Sequence, residues 1–292
     1  MKFTRTLSAI ITIILTYLSC ASCAVAQPID IQSVDDSVLT QTITHANPKT
    51  TLIILDIDNT LLTERRRDNL IGGPAWFQWQ QTAIQNHSSD ALADNMADFF
   101  PFNSYVLRHM HTVQCEPDQT AAFVDSLETK GFTVIAATAR DANVNFATRH
   151  ELNKQNIVMS PQSIKLPAGE ERSLGNNTLY SHGILYLQGQ DKATFVKKLL
   201  IASHQLSKYK QFIYLDDTLK NLTSFEQSYN SESPQTTTDI HTFHYNQDQW
   251  QQRYFQTTAL DSKQLLTQDQ QYLKDYCQYS QNKPTICANM KS

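Results

Sequence analysis

Two aspartates placed directly after a short apolar run are the residues of this chain best suited to chemistry. The run Leu52–Leu55 has the length of a buried strand and leads into Asp-Ile-Asp-Asn-Thr, which contains Asp56 and Asp58. In extended backbone, residues two apart point to the same side, so two like charges would lie close together. The pair is tolerable if a cation lies between the carboxylates or if one of them keeps its proton. Asp56 is therefore a candidate nucleophile and Asp58 a candidate general acid, although a plain turn, which Asp and Asn favour, explains the same residues.

A second pair of carboxylates follows another apolar run. Phe212–Leu215 leads into Asp216 and Asp217. An acidic residue at the start of a helix acts as an N-cap, which explains one member of the pair. A bound cation explains both, because hard cations such as Mg²⁺ prefer carboxylate oxygens. The pattern favours a contribution of this pair to a metal site.

Two further polar residues follow apolar runs and could bind an anion. Thr138 comes directly after Thr133–Ala137, and its hydroxyl and the next backbone N–H groups could hold an oxyanion, although an ordinary N-cap is the simpler interpretation. Lys192 opens a helical pattern after Ile184–Leu187. A cation at a helix N-terminus is unfavourable with respect to the helix dipole, so a nearby anion would explain its position.

Apolar runs of strand length alternate with helical patterns over most of the chain after residue 50. The predicted strands are Leu52–Leu55, Thr133–Ala137, Ile184–Leu187, Phe212–Leu215 and a weaker Ile240–Tyr245. The predicted helices are Asp118–Lys130, with Asp118 as N-cap, and Ala142–Asn153, Asp191–Leu206 and Thr218–Tyr229. This alternation predicts an α/β fold, a Rossmann-like parallel sheet with helices on both faces. The carboxyl ends of parallel strands meet at one edge, so the polar residues at these ends should converge.

The order and spacing of these four strand ends resemble the four motifs of the haloacid dehalogenase-like superfamily. The resemblance covers about Thr51 to Tyr245 and is most specific at the first and last motifs. It implies a phosphatase, resembling an uncharacterised secreted bacterial branch of that superfamily. Carried over, Asp56 attacks phosphorus and forms an aspartyl-phosphate. Asp58 protonates the leaving group, then activates water, and also offers its backbone carbonyl to Mg²⁺.

The resemblance also implies roles for the remaining motif residues. Thr138 and Lys192 would hold the transferring phosphoryl oxygens. Asp216 would complete the metal site, and Asp217 would orient Lys192 or a metal-bound water. An Asp at position 58 favours phosphate esters over carbon–halogen bonds, because dehalogenation needs no acid there.

The sequence departs from the commonest pattern of the superfamily in two places. Thr138 is followed by Ala139 and Arg140 rather than by Gly. Arg140 could touch substrate, but a surface or salt-bridged arginine is the simpler interpretation. The stretch from Asp141 to Ile184 is longer than one helix needs, which suggests a second small insertion.

A long segment separates the first two predicted strands. It is too long for a structureless loop and is rich in aromatic residues, so we interpret residues 63–117 as an inserted, mostly helical cap. Its aromatic side chains are most simply the core of the cap, while a substrate-facing tryptophan stays an alternative. The predicted α/β core then comprises residues 27–62 and 118–292.

The N-terminus has the pattern of a secretory signal peptide. Lys2 and Arg5 precede an apolar run of about 12 residues, and Ala24-Val25-Ala26 fits the small-x-small cleavage rule. Residues 1–26 would then be removed and the protein exported to the periplasm or secreted, without a stable membrane span. An uncleaved anchor and a lipoprotein, suggested by Cys20 and Cys23, are the alternatives. In an oxidising compartment Cys277 and Cys287 could form a disulfide, and Cys115 would be a buried small hydrophobe.

Composition narrows the possible partners. The net charge is −4, and the only basic block is Arg65-Arg66-Arg67, so no nucleic-acid partner is expected. We expect a small phosphorylated substrate and Mg²⁺ as cofactor. A catalytically weak binding or host-interaction protein on the same scaffold is the alternative, and phosphoryl transfer to an acceptor other than water also stays open. The sequence specifies neither the substrate nor the oligomeric state.

Overall fold

The computed structural model describes most of the chain after residue 26. The described residues are 27–64, 71–72, 74–109, 112–167, 169, 171–175, 177–230, 238–246, 270–278 and 285–288. The predicted signal peptide, residues 1–26, and the basic block Arg65-Arg66-Arg67 lie outside them.

The described elements alternate between strands and helices along most of the chain. The strands are β1 (Ile29–Ile31), β2 (Thr51–Leu55), β3 (Leu62–Glu64), β4 (Thr112–Gln114), β5 (Thr133–Thr138), β6 (Glu171–Gly175), β7 (Thr178–Ser181), β8 (Ile184–Tyr186), β9 (Gln211–Asp216) and β10 (Asp239–Tyr245). The helices are α1 (Ser37–His45), α2 (Pro74–Gln85), α3 (Met96–His109), α4 (Gln119–Thr129), α5 (Asn145–Lys154), α6 (Lys192–Ala202), α7 (Leu219–Asn230), α8 (270–278) and α9 (Thr285–Ala288). A 3₁₀ helix, Ala142–Val144, precedes α5.

Eight of the strands form one mostly parallel sheet with helices on both faces. Its order is β1-β10-β9-β2-β5-β8-β7-β6, and only the pairings of β7 with β6 and with β8 are antiparallel. All five residues of β2 are buried, and its four apolar residues alternate between two apolar clusters. One cluster includes residues of α1, α4 and α5, and the other includes residues of α6 and α7. The predicted α/β class is confirmed, and the continuous apolar runs are explained by burial on both faces.

The central strands were predicted correctly from the sequence, whereas most elements at the sheet edges were not predicted. Each of the five predicted strands is present, and no end differs by more than one residue. The edge strand β1, helix α1 and the hairpin β6–β7 were not specified, although the hairpin occupies the stretch where a second insertion was suggested. Asp118 occupies the predicted N-cap position of α4 but does not cap the helix with its side chain. Asp118 has left-handed backbone with φ +62°, and its side chain makes no capping hydrogen bond.

Helices α2 and α3 lie between β3 and β4, which pair with each other as a separate antiparallel ribbon. Their aromatic side chains form a third cluster, centred on the fully buried Trp76. The ring of Trp76 lies 5.4 Å from that of Phe99 and 6.4 Å from that of Phe102, measured between centroids. The described part of this segment is mostly helical and its aromatic side chains pack together, while its role as a cap stays a prediction.

The C-terminal helices pack on this inserted segment. Leu273 of α8 and Ile286 of α9 are buried in the cluster of α2 and α3, although the sequence analysis assigns this region to the α/β core.

A disulfide joins Cys277 to Cys287, which confirms the suggested pairing, and Cys115 is buried as expected. The domain limits themselves stay a prediction. None of the described helices combines the length and the apolar composition of a membrane span.

Candidate functional site

Asp56 lies at the carboxyl end of β2, in the middle of the sheet. Its backbone N–H donates to the carbonyl of Leu215 on the neighbouring strand β9, at 2.9 Å. Its side chain is buried, and one carboxylate oxygen lies 2.7 Å from the Nζ of Lys192. Lys192, the first residue of α6, is also buried. The predicted anionic neighbour of this lysine is therefore the carboxylate of Asp56 together with that of Asp216.

Asp216 ends β9 and is completely buried among hydrogen-bond donors. Its Oδ2 lies 2.6 Å from the Nζ of Lys192 and also accepts from the hydroxyl of Tyr214. Its Oδ1 accepts from the backbone N–H of Thr218 at 2.8 Å, and the side-chain amide of Asn221 lies 3.1 and 3.2 Å from the two oxygens. Four protein groups therefore hold this carboxylate in one orientation.

Asp217 completes a cluster of three carboxylates with Asp56 and Asp216. One carboxylate oxygen from each lies within 4.8 Å of the others, close enough for a shared metal ion. Asp217 is half-buried and accepts from the amide of Asn59 at 3.2 Å and from the hydroxyl of Thr218 at 3.1 Å. Asn59 reaches it from a loop in which its own backbone is left-handed, with φ +60°. The strand ends of β2 and β9 thus meet as predicted.

Among the described residues, the ammonium of Lys192 offsets only part of the negative charge of the cluster. Burial raises the pKa of Asp56 well above its usual range, and Lys192 opposes this shift while Asp216 adds to it. Burial, with the charge of Asp216, also raises the pKa of Asp217 to about 7. Burial lowers the pKa of Lys192, but the carboxylates of Asp216 and Asp56 outweigh it and the net shift is upward. When all three carboxylates are ionised they exceed the single ammonium by two charges, which fits a divalent cation.

The carboxylate of Asp58, the predicted general acid, forms a salt bridge with an arginine. It is bound by the guanidinium of Arg140, with a shortest distance of 2.7 Å. The Arg140 side chain is 3% exposed and that of Asp58 is 24% exposed. Arg140 is thus the salt-bridged arginine that the simpler interpretation predicted. The metal-ligand role of Asp58, which the resemblance assigned to its backbone carbonyl, stays a prediction.

Thr138 lies at the end of β5, next to β2 in the sheet. Leu55 pairs with Ala136 in this parallel register, so Thr138 stands two residues beyond the pair, level with the Asp56–Asp58 loop. Its side chain is buried, and its hydroxyl accepts from the backbone N–H of Arg140 at 3.1 Å. The hydroxyl therefore shapes the loop after β5, and its predicted contact with phosphate stays a prediction.

Four residues of the site carried weak signals in the sequence. Tyr214 lies inside β9 and has the same apolar character as its neighbours, but its position two residues before Asp216 places both side chains on one face. Asn221 lies in the first turn of α7, where an amide is unremarkable. Asn59 belongs to a segment that a plain turn also explains, and for Arg140 the sequence favours a surface or salt-bridged side chain over a substrate contact. The signal available for Asn59 was its place directly after Asp56 and Asp58, and that for Arg140 was its place two residues after Thr138, just beyond a strand end.

Comparison with known proteins gives a family but no activity. No curated protein and no solved structure is similar enough to match this chain. One family model matches residues 31–283, a span that includes each of the site residues named above. The chain therefore belongs to the family described as "Protein of unknown function (DUF2608)".

Proposed function

We propose that the protein is an Mg²⁺-dependent phosphomonoester hydrolase that works through an aspartyl-phosphate on Asp56. One observation supports this most: the buried Asp56 carboxylate contacts Lys192 and lies within metal-sharing distance of two further carboxylates. A carboxylate held beside a cation and other acids at the carboxyl end of a parallel strand is well placed to attack a phosphorus atom. The resemblance to the haloacid dehalogenase-like superfamily points to the same reaction.

The first step transfers the phosphoryl group to the protein. An oxygen of Asp56 attacks phosphorus, the phosphorus–oxygen bond of the ester breaks, and its electron pair stays on the leaving oxygen. Asp58 gives its proton to that oxygen, so that an alcohol leaves. Lys192 neutralises charge on the phosphoryl oxygens, and Thr138 with the N–H groups that follow it offers hydrogen bonds.

The second step returns the protein to its starting state. Water attacks phosphorus and passes a proton to Asp58, and the bond between phosphorus and Asp56 breaks. Inorganic phosphate leaves, and Asp58 holds a proton for the next turnover. Transfer of the phosphoryl group from Asp56 to an alcohol instead of water would use the same side chains.

The three-carboxylate cluster fits Mg²⁺ by charge and by donor type. Asp56, Asp216 and Asp217 offer oxygen atoms only, which Mg²⁺ prefers, and their charge exceeds that of Lys192 by two. Mg²⁺ bound there supplies charge neutralisation on the phosphoryl oxygens. The direct ligands we favour are Asp56 and Asp217, because Asp216 already accepts from Tyr214, Asn221, Thr218 and Lys192.

Export to the periplasm or beyond the cell is part of the same proposal. The disulfide between Cys277 and Cys287 supports it, because such bonds persist in oxidising compartments. The signal-like N-terminus, residues 1–26, supports it independently.

Removal of the nucleophile tests the proposal directly. We expect the protein without residues 1–26 to release phosphate from p-nitrophenyl phosphate only when Mg²⁺ is present. Asp56→Asn should lower kcat by at least about 1,000-fold, because an amide cannot form the phosphoenzyme. Chelation with EDTA should abolish activity in the parent protein, and added Mg²⁺ should restore it.

A matched control separates loss of the nucleophile from a general loss of charge. Asp239→Asn alters an exposed aspartate at the amino end of β10, remote from the cluster, and should leave kcat within about twofold. Activity that survives in Asp56→Asn, or that EDTA does not affect, would contradict the proposal. A tight protein partner together with no turnover on a broad panel of phosphate esters would favour the binding-protein alternative.

A further inference from the structure

Arg140 is fixed at both its backbone and its side chain. Its N–H donates to the hydroxyl of Thr138 at 3.1 Å, and its carbonyl accepts from the N–H of Gln188 at 3.1 Å. At the far end of the side chain, Nη1 donates to the hydroxyl of Thr148 on α5 at 3.2 Å. A buried arginine that is held at its backbone N–H, at its carbonyl and at one guanidinium nitrogen has little freedom to turn towards a ligand. Its contact with Asp58 is therefore part of the structure of the loop.

The contact between Arg140 and Asp58 is asymmetric. Nη2 donates to Oδ1 of Asp58 at 2.7 Å, which is the shortest of the contacts. The single N–H of Nε is shared between the two oxygens, at 3.0 Å from Oδ2 and 3.2 Å from Oδ1, and it is the one donor to Oδ2 among the described residues. An ionised carboxylate can accept about four hydrogen bonds, so Oδ2 keeps capacity for a proton or a substrate oxygen.

We propose that Arg140 is a positioning residue that anchors Oδ1 of Asp58 and leaves Oδ2 to exchange a proton with the leaving oxygen of the ester. This inference rests on the proposed function. It assigns to Arg140 a role through Asp58, not a contact with substrate.

The proposed role follows from where charge develops in the first step. The proton moves from Oδ2 of Asp58 to the ester oxygen while the bond from that oxygen to phosphorus breaks. Asp58 thereby gains negative charge, and the fixed guanidinium of Arg140 stabilises that charge as it forms. The second step reverses this, as Asp58 accepts a proton from water. Arg140 itself gains and loses no proton.

The basicity of the leaving group gives a test that a merely structural role would not pass. An alkyl phosphate needs proton donation because its alkoxide is a poor leaving group, whereas p-nitrophenolate leaves without help. We expect Arg140→Gln to lower kcat/KM for β-glycerophosphate by about 100-fold and for p-nitrophenyl phosphate by less than about threefold. Because kcat/KM covers the steps up to release of the alcohol, the later attack of water does not obscure the result.

The ratio of the two kcat/KM values keeps the test valid even if the variant is partly unfolded. Both values fall equally with the folded fraction, so their ratio is unaffected by it. Arg140→Lys keeps the charge but loses the planar guanidinium. Its ratio of kcat/KM for β-glycerophosphate to kcat/KM for p-nitrophenyl phosphate should lie between those of Arg140→Gln and the parent protein. Arg108→Lys is the matched control for Arg140→Lys, because Arg108 is exposed and, among the described residues, donates to the carbonyl of Asn143 near the same loop, at 3.0 Å. Its ratio should equal that of the parent protein.

A double-mutant cycle shows whether Arg140 acts through Asp58. Asp58→Asn should show the same selective loss on β-glycerophosphate, and adding Arg140→Gln to it should lower kcat/KM by no more than about twofold further. Independent losses that multiply in the double variant would overturn the inference. An unchanged ratio in Arg140→Gln would also overturn it, while Asp56-dependent hydrolysis by the parent protein would leave the proposed function intact. If the parent protein hydrolyses neither ester, the proposed function fails and the inference fails with it.

Discussion

Asp216 and Asp217 are adjacent in sequence, but their carboxylates have different surroundings. Asp216 is completely buried and accepts from Tyr214, Asn221, the backbone of Thr218 and Lys192. Asp217 is half-buried and accepts from Asn59 and from the hydroxyl of Thr218. A carboxylate whose oxygens are already occupied has little capacity left for a cation. We therefore infer that Asp216 mainly anchors Lys192 beside Asp56, and that Asp217 is the more available metal ligand.

Metal binding measured without turnover distinguishes these two roles. We expect Asp217→Asn to abolish detectable Mg²⁺ or Mn²⁺ binding in titration calorimetry, because it removes a direct ligand. Asp216→Asn should weaken binding by about 10–100-fold, as the loss of an outer-shell partner does. Glu128→Gln is a suitable control, because Glu128 carries its carboxylate on α4 against the backbone of Ser160, away from the cluster. Weaker binding in Asp216→Asn than in Asp217→Asn would contradict this assignment.

Only part of the site could be predicted from residue types. Asp56 and Asp216 are conspicuous as charges at the end of an apolar run, and Lys192 as a cation at the start of a helix. The structure brings these three into contact. Tyr214 was not found because a tyrosine inside an apolar strand has an ordinary packing role. The spacing of two residues places the two side chains on one face, but the hydroxyl gains a function only through the burial of Asp216, which the local sequence does not encode.

The β7–β8 hairpin is the element with the clearest local backbone requirement. Its two-residue turn, His182-Gly183, has left-handed backbone at both positions, with φ +51° and +78°. Two-residue hairpin loops of this kind favour Gly at the second position. The carbonyl of Gly183 also accepts from the N–H of Ala136, at 2.9 Å, and so ties the turn to β5. The turn thus fixes the register of β8 against β5, the strand that ends in Thr138.

Addition of one methyl group to this turn should destabilise the protein. A Cβ at position 183 would lie 2.6 Å from the carbonyl oxygen of Ser160, closer than real contacts allow. We expect Gly183→Ala to lower the free energy of unfolding by about 2–4 kcal/mol, measured by urea denaturation. Gly189 is the matched control, since it follows Gln188 in a similar left-handed pair, has φ +74°, and would place a Cβ in open space. Gly189→Ala should cost about 1–2 kcal/mol, from backbone strain alone. Equal losses in the two variants would show that the clash at Ser160 is relieved without cost.

The elements that the sequence left unspecified depend on distant partners. Strand β1 is three residues long and pairs with β10, more than 200 residues further along the chain. No periodicity can be recognised in so short a run, and its place at the sheet edge depends on a neighbour that sequence patterns do not identify. The central strands were predictable for the opposite reason, because burial on both faces leaves a continuous apolar run in the sequence itself.

At the scale of the whole molecule, the C-terminus belongs structurally with the inserted segment. Tyr276 of α8 lies 5.6 Å from Phe102 and 5.4 Å from Tyr105 of α3, measured between ring centroids. The disulfide then connects α8 to α9, whose Ile286 is buried in the same cluster. The cluster that packs the insert is therefore completed by residues from the far end of the chain, and the sequence carries no local signal for such an arrangement.

Removal of this disulfide should weaken the insert selectively. The bond closes a loop with a sequence separation of 10 residues, so we expect Cys277→Ser with Cys287→Ser to cost about 2–3 kcal/mol. Because α8 and α9 pack on α2 and α3, hydrogen exchange should accelerate in those helices and change little in β2, β5 and β9. Reductant should reproduce the effect in the parent protein and have none in the double variant, which controls for the serine side chains. Equal acceleration in the central strands would show that the insert and the sheet unfold as one cooperative unit, and an unchanged exchange rate in α3 would show that the disulfide does not stabilise the insert.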